Sequence, residues 1–137
     1  MKVIRSGQRP TQVSRPTWFT GDVSWDRVDA FPPEARIEAA YVHFAPGART
    51  AWHTHELGQS IWVTEGEGLC QRDGQPIERI FPGDCVYFEP GERHWHGAAP
   101  DRLMVHLAIK PTDADGVTFE LDDLVTDEEY GGPRAGA

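Results

Sequence analysis

Cysteine is scarce here, with two residues in a chain of 137. That excludes a disulfide-stapled scaffold and leaves Cys70 and Cys85, both inside strand-like runs, as two reduced, packed thiols rather than a bridge. No apolar run is long enough to span a bilayer, and the opening segment MKVIRSGQRP has no signal-peptide stretch. Cytoplasmic residence is the resulting expectation. Lysine and arginine form no cluster, and the net charge is −9 with a pI near 5.0. Nucleic acid and membranes are therefore not expected partners, and the acidic surface serves solubility. Repeats and low-complexity tracts are also missing, apart from the glycine-rich end at 131–137, which is expected to be a disordered tail.

What is present reads as one domain, at residues 1–130. The composition, 39% hydrophobic and 26% charged, is that of an ordinary globular protein, and the length suffices for one core but not comfortably for two. Glycine and proline cut the middle of the chain into short strands, expected at 18–24, 39–45, 50–55, 59–65, 68–72, 76–80, 84–89, 94–97 and 102–110. Asp73-Gly74 signals a two-residue hairpin turn of type I′, and Pro82-Gly83 and Pro90-Gly91 signal further tight turns. Phe31-Pro32-Pro33-Glu34 reads as a loop. One short helix is expected near 126–130, where Thr126 and Glu129 have capping-box spacing. Many short strands at regular intervals predict an all-β fold, a barrel or jelly roll.

The chemistry concentrates in histidine. His53 and His55 form a His-x-His pair, and in a strand residues i and i+2 point to one face, so the two imidazoles stand side by side. Gln59 follows Gly58, where a turn can bring its amide back over the pair. His94 follows the Pro90-Gly91 turn at the end of another strand. Imidazole binds Mn, Fe, Ni, Cu and Zn, and an amide oxygen tilts the set toward harder ions. His53, His55, Gln59 and His94 are thus the expected ligands of one divalent metal. His96 shares a strand face with His94. His106 lies in a strand whose alternation sets Leu103, Val105, Leu107 and Ile109 on one face and Met104, His106, Ala108 and Lys110 on the other. Periodicity alone would bury the first face.

These residues carry a family resemblance. Gly47, His53, His55, Gln59 and Gly66 resemble the first cupin motif, and Gly83, Asp84, Pro90, Gly91 and His94 the second. Three positions depart from the pattern: Gln59 stands where glutamate is usual, Glu89 replaces a common proline, and an asparagine often found after the second-motif histidine is missing. More narrowly, Trp18-Phe19-Thr20-Gly21, Leu57-Gly58-Gln59, the run from Pro90 to Pro100, His106-Leu107-Ala108-Ile109 and Val125-Thr126-Asp127-Glu128 resemble the small bacterial cupin hydroxynitrile lyases, over most of the chain from Trp18 to Tyr130. The resemblance implies a single-domain cupin, a jelly-roll β-barrel with a short C-terminal helix. It implies Mn(II), with Fe, Ni or Zn as alternatives, held by His53, His55, Gln59 and His94. It implies cleavage or formation of small cyanohydrins such as mandelonitrile. It turns His106 toward the metal, and it puts Ala40, Val42 and Thr50 in the pocket wall, Thr50 as a hydroxyl donor. Lys110 falls where those lyases have a neutral amide.

The donor set suits that chemistry. Four neutral ligands leave the site its full double positive charge, where a glutamate would cut it to about one. The same neutrality disfavours a trivalent ion and redox work with O2. The proton acceptor should be a free histidine near the metal, His106 or His96. If His106 points inward, the stripe Leu103/Val105/Leu107/Ile109 is left outside, which predicts a homodimer or homotetramer. An Mn- or Fe-dependent cupin dioxygenase and a non-catalytic small-molecule binder are the alternatives. His43 should point outward, and Trp52 and Trp95 should pack behind the ligands.

Overall fold

The Gly/Pro punctuation cuts the chain into the expected short strands. A computed structural model describes residues 1–113 and 119–136. Within them are β1 (Gln12–Val13), β2 (Phe19–Thr20), β3 (Val23–Arg27), β4 (Ile37–Phe44), β5 (Arg49–Thr50), β6 (His53–His55), β7 (Gln59–Gly66), β8 (Gly68–Arg72), β9 (Glu78–Ile80), β10 (Cys85–Phe88), β11 (His94–Ala98), β12 (Met104–Pro111) and β13 (Phe119–Leu121), then the helix α1 (Asp127–Tyr130). The strands form two antiparallel sheets. One runs β1-β3-β4-β12-β7-β10; the other runs β13-β6-β11-β5-β2, with β8 pairing β11 and β9. The all-β, two-sheet architecture with one short C-terminal helix is the one expected.

The core forms where the sheets face each other. Phe44, Ile61, Val63 and Met104 from the first sheet meet Cys70, Ile80 and Ala98 from the second. In β12 Met104, His106 and Ala108 are buried while Ile109, and Leu103 just before the strand, are exposed, so the polar-looking face is the inner one. The expected outer stripe is open only in part: Leu107 is half-buried and Val105 buried. A register shift between Val105 and His106 leaves Thr64 of β7 without an opposite residue in β12, a bulge beside the site whose Thr64 hydroxyl donates to the Val105 carbonyl. A second cluster, Trp52, Leu69, Ile77, Trp95, Val125 and Tyr130, lies between the second sheet and the chain's C-terminal end. The two tryptophans are buried there, as expected.

Several local expectations are corrected. The run 18–24 is two strands in different sheets. Gly21 turns the corner at φ 80°, and a Cβ there would press on Ala48. The run 50–55 divides into β5 and β6. At Asp73-Gly74 only Gly74 has positive φ, and the amide of Gln75 bonds the carbonyl of Arg72. This is the pattern of a type II turn inside a longer loop, not a type I′ hairpin. Pro82-Gly83 and Pro90-Gly91 do turn as expected, with closing bonds from Asp84 to Phe81 and from Glu92 to Glu89. Cys70 is buried and Cys85 exposed, both free, so one thiol is packed rather than two.

The end of the chain also departs from expectation. Thr126 and Glu129 form the full capping box, but residues 131–136 are tied down rather than disordered. Ile77 bonds the backbone of Pro133 and Ala135 on either side, and the Arg134 guanidinium donates to the carbonyls of Tyr130 and Gly132. An edge segment beside β9 captures the tail through backbone pairing, which composition does not reveal. Ala137, the last residue of that expected tail, lies outside the described residues.

Candidate metal centre

His53 and His94 are Cα partners across β6 and β11, so alternation puts His55 and His96 on the same inner face. Gln59 arrives from the opposite sheet. The chain turns at Gly58, whose amide bonds the carbonyl of His55, and Gln59 then opens β7. Gly91 bonds the same carbonyl, which ties the second histidine segment to the first. The His53 ring lies 4.9 Å from that of His55, 4.3 Å from His94 and 5.3 Å from His96. Nitrogens of His53, His94 and His96 come within 4.8 Å of one another. The tightest trio thus contains His96 where His55 was expected, and His55 borders it, its ring 5.6 Å from that of His94.

Hydrogen bonds distinguish these rings. Nδ1 of His53 meets the Ala51 carbonyl at 2.8 Å, and Nδ1 of His94 meets the Glu92 carbonyl at 2.7 Å. Each backbone contact favours the tautomer with the proton on Nδ1 and leaves Nε2 as the atom that could ligate a metal. Nδ1 of His96 instead meets Nε2 of His106 at 3.0 Å. Both nitrogens of His55, Nε2 of His94, Nε2 of His96, Nδ1 of His106 and Oε1 of Gln59 are buried without a protein partner. Buried polar atoms are ordinarily paired. A group of unpaired imidazole nitrogens with one amide oxygen is a donor set for a divalent cation, and the residues present fit that group.

Burial holds the imidazoles neutral. It is the first cause lowering His53 to about 4, His55 and His106 to about 3 and His94 to about 2, and it puts His96 well below the ordinary range. Neighbouring imidazoles add to this at His55 and His94, and the Lys110 ammonium at His53 and His55. Neutral imidazole is the form that ligates metal and accepts protons.

A cavity of about 150 Å³ opens beside these rings. His53, His55, His96, Thr50 and Leu121 line it from one sheet, and Val42, Gln59, His106, Ala108 and Lys110 from the other. Thr50 Oγ1 accepts the backbone N–H of His96 at 3.2 Å, which leaves its hydroxyl proton for another acceptor. Ala40 is set apart from its expected companions. It lines an adjoining cleft of about 440 Å³ that shares Val42, Gln59, Ala108 and Lys110 with the cavity. Lys110 stands 3.4 Å from a Glu38 carboxylate oxygen and 4.8 Å above the Phe119 ring. His43 points outward and meets Asp26 at 3.2 Å.

The sequence reading missed the aromatic walls. Trp18, Phe19, Phe44 and Phe119 line the cavity, and Phe88 stacks on His94 with centroids 3.7 Å apart. Phe119 and Leu121 reach the site because β13 pairs with β6, Phe119 opposite His55. Their short alternation, Phe119-Glu120-Leu121, was the one available signal.

Comparison with known proteins fits this geometry. Residues 40–110 match the family described as Cupin domain. An (R)-mandelonitrile lyase from Granulicella tundricola is 48% identical over 130 residues, covering 95% of this chain and 98% of that protein. A cupin-like protein from Thermotoga maritima superimposes with a TM-score of 0.82 at 34% identity, each chain covered completely. The polyketide cyclase RemF from Streptomyces resistomycificus, 20% identical, shares the fold with a TM-score of 0.75 over 95% of this chain and 90% of that one.

Proposed function

Because the chain belongs to the cupin family, we propose that it is a metal-dependent lyase that cleaves or forms small cyanohydrins of the mandelonitrile kind. The carrying observation is the likeness to an (R)-mandelonitrile lyase over nearly the whole of both chains. The unpaired imidazoles on a partly aromatic cavity supply the chemistry that such a lyase needs.

His53, His55 and His94, with Gln59, would hold a divalent ion, Mn(II) in first place. When bound, it supplies Lewis-acid polarisation of the substrate hydroxyl. The remaining work falls to the chain's own side chains. The paired imidazoles of His96 and His106 take the hydroxyl proton. His96 is the nearer to the ligand group, and His106 holds its Nδ1. As the proton leaves, the C–O bond becomes a carbonyl and the C–CN bond breaks, its electron pair departing on cyanide. The imidazolium then returns the proton to cyanide, giving aldehyde and hydrogen cyanide. The Thr50 hydroxyl, anchored on the His96 amide, orients the substrate oxygen. The apolar cavity walls exclude water from the aldehyde.

The chain would act as a dimer or larger assembly in the cytoplasm. Tyr41, Trp62, Tyr87 and Ile109 are exposed on strands β4, β7, β10 and β12 of the first sheet, and Leu107 is paired with both Tyr41 and Trp62. Such a patch supports self-association, and two free thiols suit a reducing compartment. The test of function is cyanide release from mandelonitrile by protein loaded with Mn(II), beside elemental analysis of the purified chain. Metal at one per chain with cyanide release is expected; metal without release from any cyanohydrin overturns the proposal.

A further inference from the structure

Among the described residues, the metal cavity has one formally charged residue in its wall, Lys110. Its side chain is only 15% exposed, so the ammonium is held close to the protein rather than extended into water. The same residue also lines the adjoining cleft of about 440 Å³. Among the described residues, that cleft is lined by three cations, Arg27, Arg36 and Lys110, against two carboxylates, Asp29 and Glu38. Arg27 pairs with Asp29 at 3.3 Å and Lys110 with Glu38 at 3.4 Å, which leaves Arg36 without a side-chain partner among the described residues. Arg36 also takes left-handed backbone, φ 50°, a conformation a non-glycine side chain rarely adopts. A chain of net charge −9 therefore has, among the described residues, a local surplus of positive charge in the cleft that adjoins the cavity.

Resting on the lyase activity proposed above, we infer that the cleft beyond Lys110 is a second substrate subsite for an anionic group, so that the preferred substrate is a cyanohydrin whose far end bears a carboxylate. The reacting carbon and its ring occupy the cavity beside the histidines. The carboxylate passes Val42 and Ala108, which line both spaces, and meets Lys110 and Arg36. Ala40 and Ala108 leave room where a larger side chain would close the passage. Glu38 does not fill this role for the ammonium. Its side chain is 42% exposed and its oxygen lies beyond ordinary hydrogen-bond length, so a substrate carboxylate can displace it. A charge-assisted bond in so sheltered a place is worth about tenfold or more in affinity.

The experiment compares 4-carboxybenzaldehyde with benzaldehyde. Calorimetry measures the binding of each to the metal-loaded protein, and cyanohydrin synthesis is followed from both aldehydes. The expected result is about tenfold tighter binding of the acid to the unaltered chain. Lys110→Gln and Arg36→Gln should each shrink that ratio, while Glu38→Gln should enlarge it. Arg36 and Glu38 are on the surface, so two of the three variants keep the test open should Lys110→Gln fail to fold. Equal binding of both aldehydes, or a ratio indifferent to all the variants that fold, overturns the subsite. Absence of synthesis from either aldehyde overturns the lyase activity instead, and the binding ratio still decides whether the cleft selects an anion.

Discussion

Two imidazoles, His55 and His96, stand close enough to His53 to share a cation with it, and their hydrogen bonds separate them. His96 has its Nε2 free, but its Nδ1 is engaged by another imidazole, His106, where His53 and His94 have backbone carbonyls. Both nitrogens of His55, by contrast, are buried without a hydrogen bond. His53→Ala, His55→Ala and His94→Ala are therefore each expected to strip the metal, measured by elemental analysis, and His96→Ala to retain it. Metal lost from the His96 variant but kept by the His55 variant would transfer the ligand role. His96→Ala and His106→Ala should each slow cyanohydrin cleavage by ~10²–10⁴ with metal in place, the usual cost of losing a proton acceptor. Near-normal turnover by either variant removes that residue from the proton path.

At the scale of elements, the seven-stranded sheet is braced from behind by the C-terminal segment. The Tyr130 hydroxyl donates to the Ala98 carbonyl at 2.6 Å, and buried Arg49 reaches the Val125 carbonyl at 2.7 Å while lying 4.5 Å over the Tyr130 ring. Tyr130→Phe removes one buried bond and leaves a carbonyl unpaired, so a loss of about 1–3 kcal/mol is expected by denaturant titration. An unchanged midpoint would show that the brace contributes nothing. Much of this scale was legible beforehand. The capping box and the Pro-Gly turns are local chemistry, and the alternation in β12 paired His106 with Met104, Ala108 and Lys110 on one face. Which of the two faces is inner was not local. Here periodicity pointed one way and the resemblance the other, and burial agrees with the resemblance. Likewise, nothing in the run 18–24 announces that Gly21 sends the strands on either side of it into different sheets. Nor does the glycine-rich tail announce that Ile77 will bind it. That the histidines of β6 and β11 cluster was legible because motif spacing is a property of single strands. Phe88 and Phe119 were not, since only the pairing of distant strands brings them to the site.

For the whole molecule, acid should be destabilising over a defined range. Free imidazoles titrate near 6.5, whereas burial holds His53 at about 4, His55 and His106 at about 3 and His94 at about 2 in the folded chain. Between those limits the unfolded chain binds more protons than the folded one, so stability falls as the pH drops below about 6.5. Melting temperatures of the metal-free protein should decline steadily from pH 7 to pH 5; a flat profile would contradict the burial of these rings. Assembly belongs to this scale too. Trp62, 52% exposed at the middle of the outer apolar face, should be an anchor, and Trp62→Glu is expected to shift sedimentation toward the monomer. A wild-type chain that sediments as a monomer at micromolar concentration would rule out that interface. The three histidines proposed to hold the metal come from one sheet, while the small wall residues Ala40, Val42 and Ala108, with Lys110, come from β4 and β12 of the other. Gln59 and His106 also belong to that second group, so only the histidine cluster of β6 and β11 is set apart from these wall residues. Drift at positions 40, 42, 108 or 110 can retune what enters while the histidine cluster stays untouched, and this gives laboratory evolution a short list of places to begin.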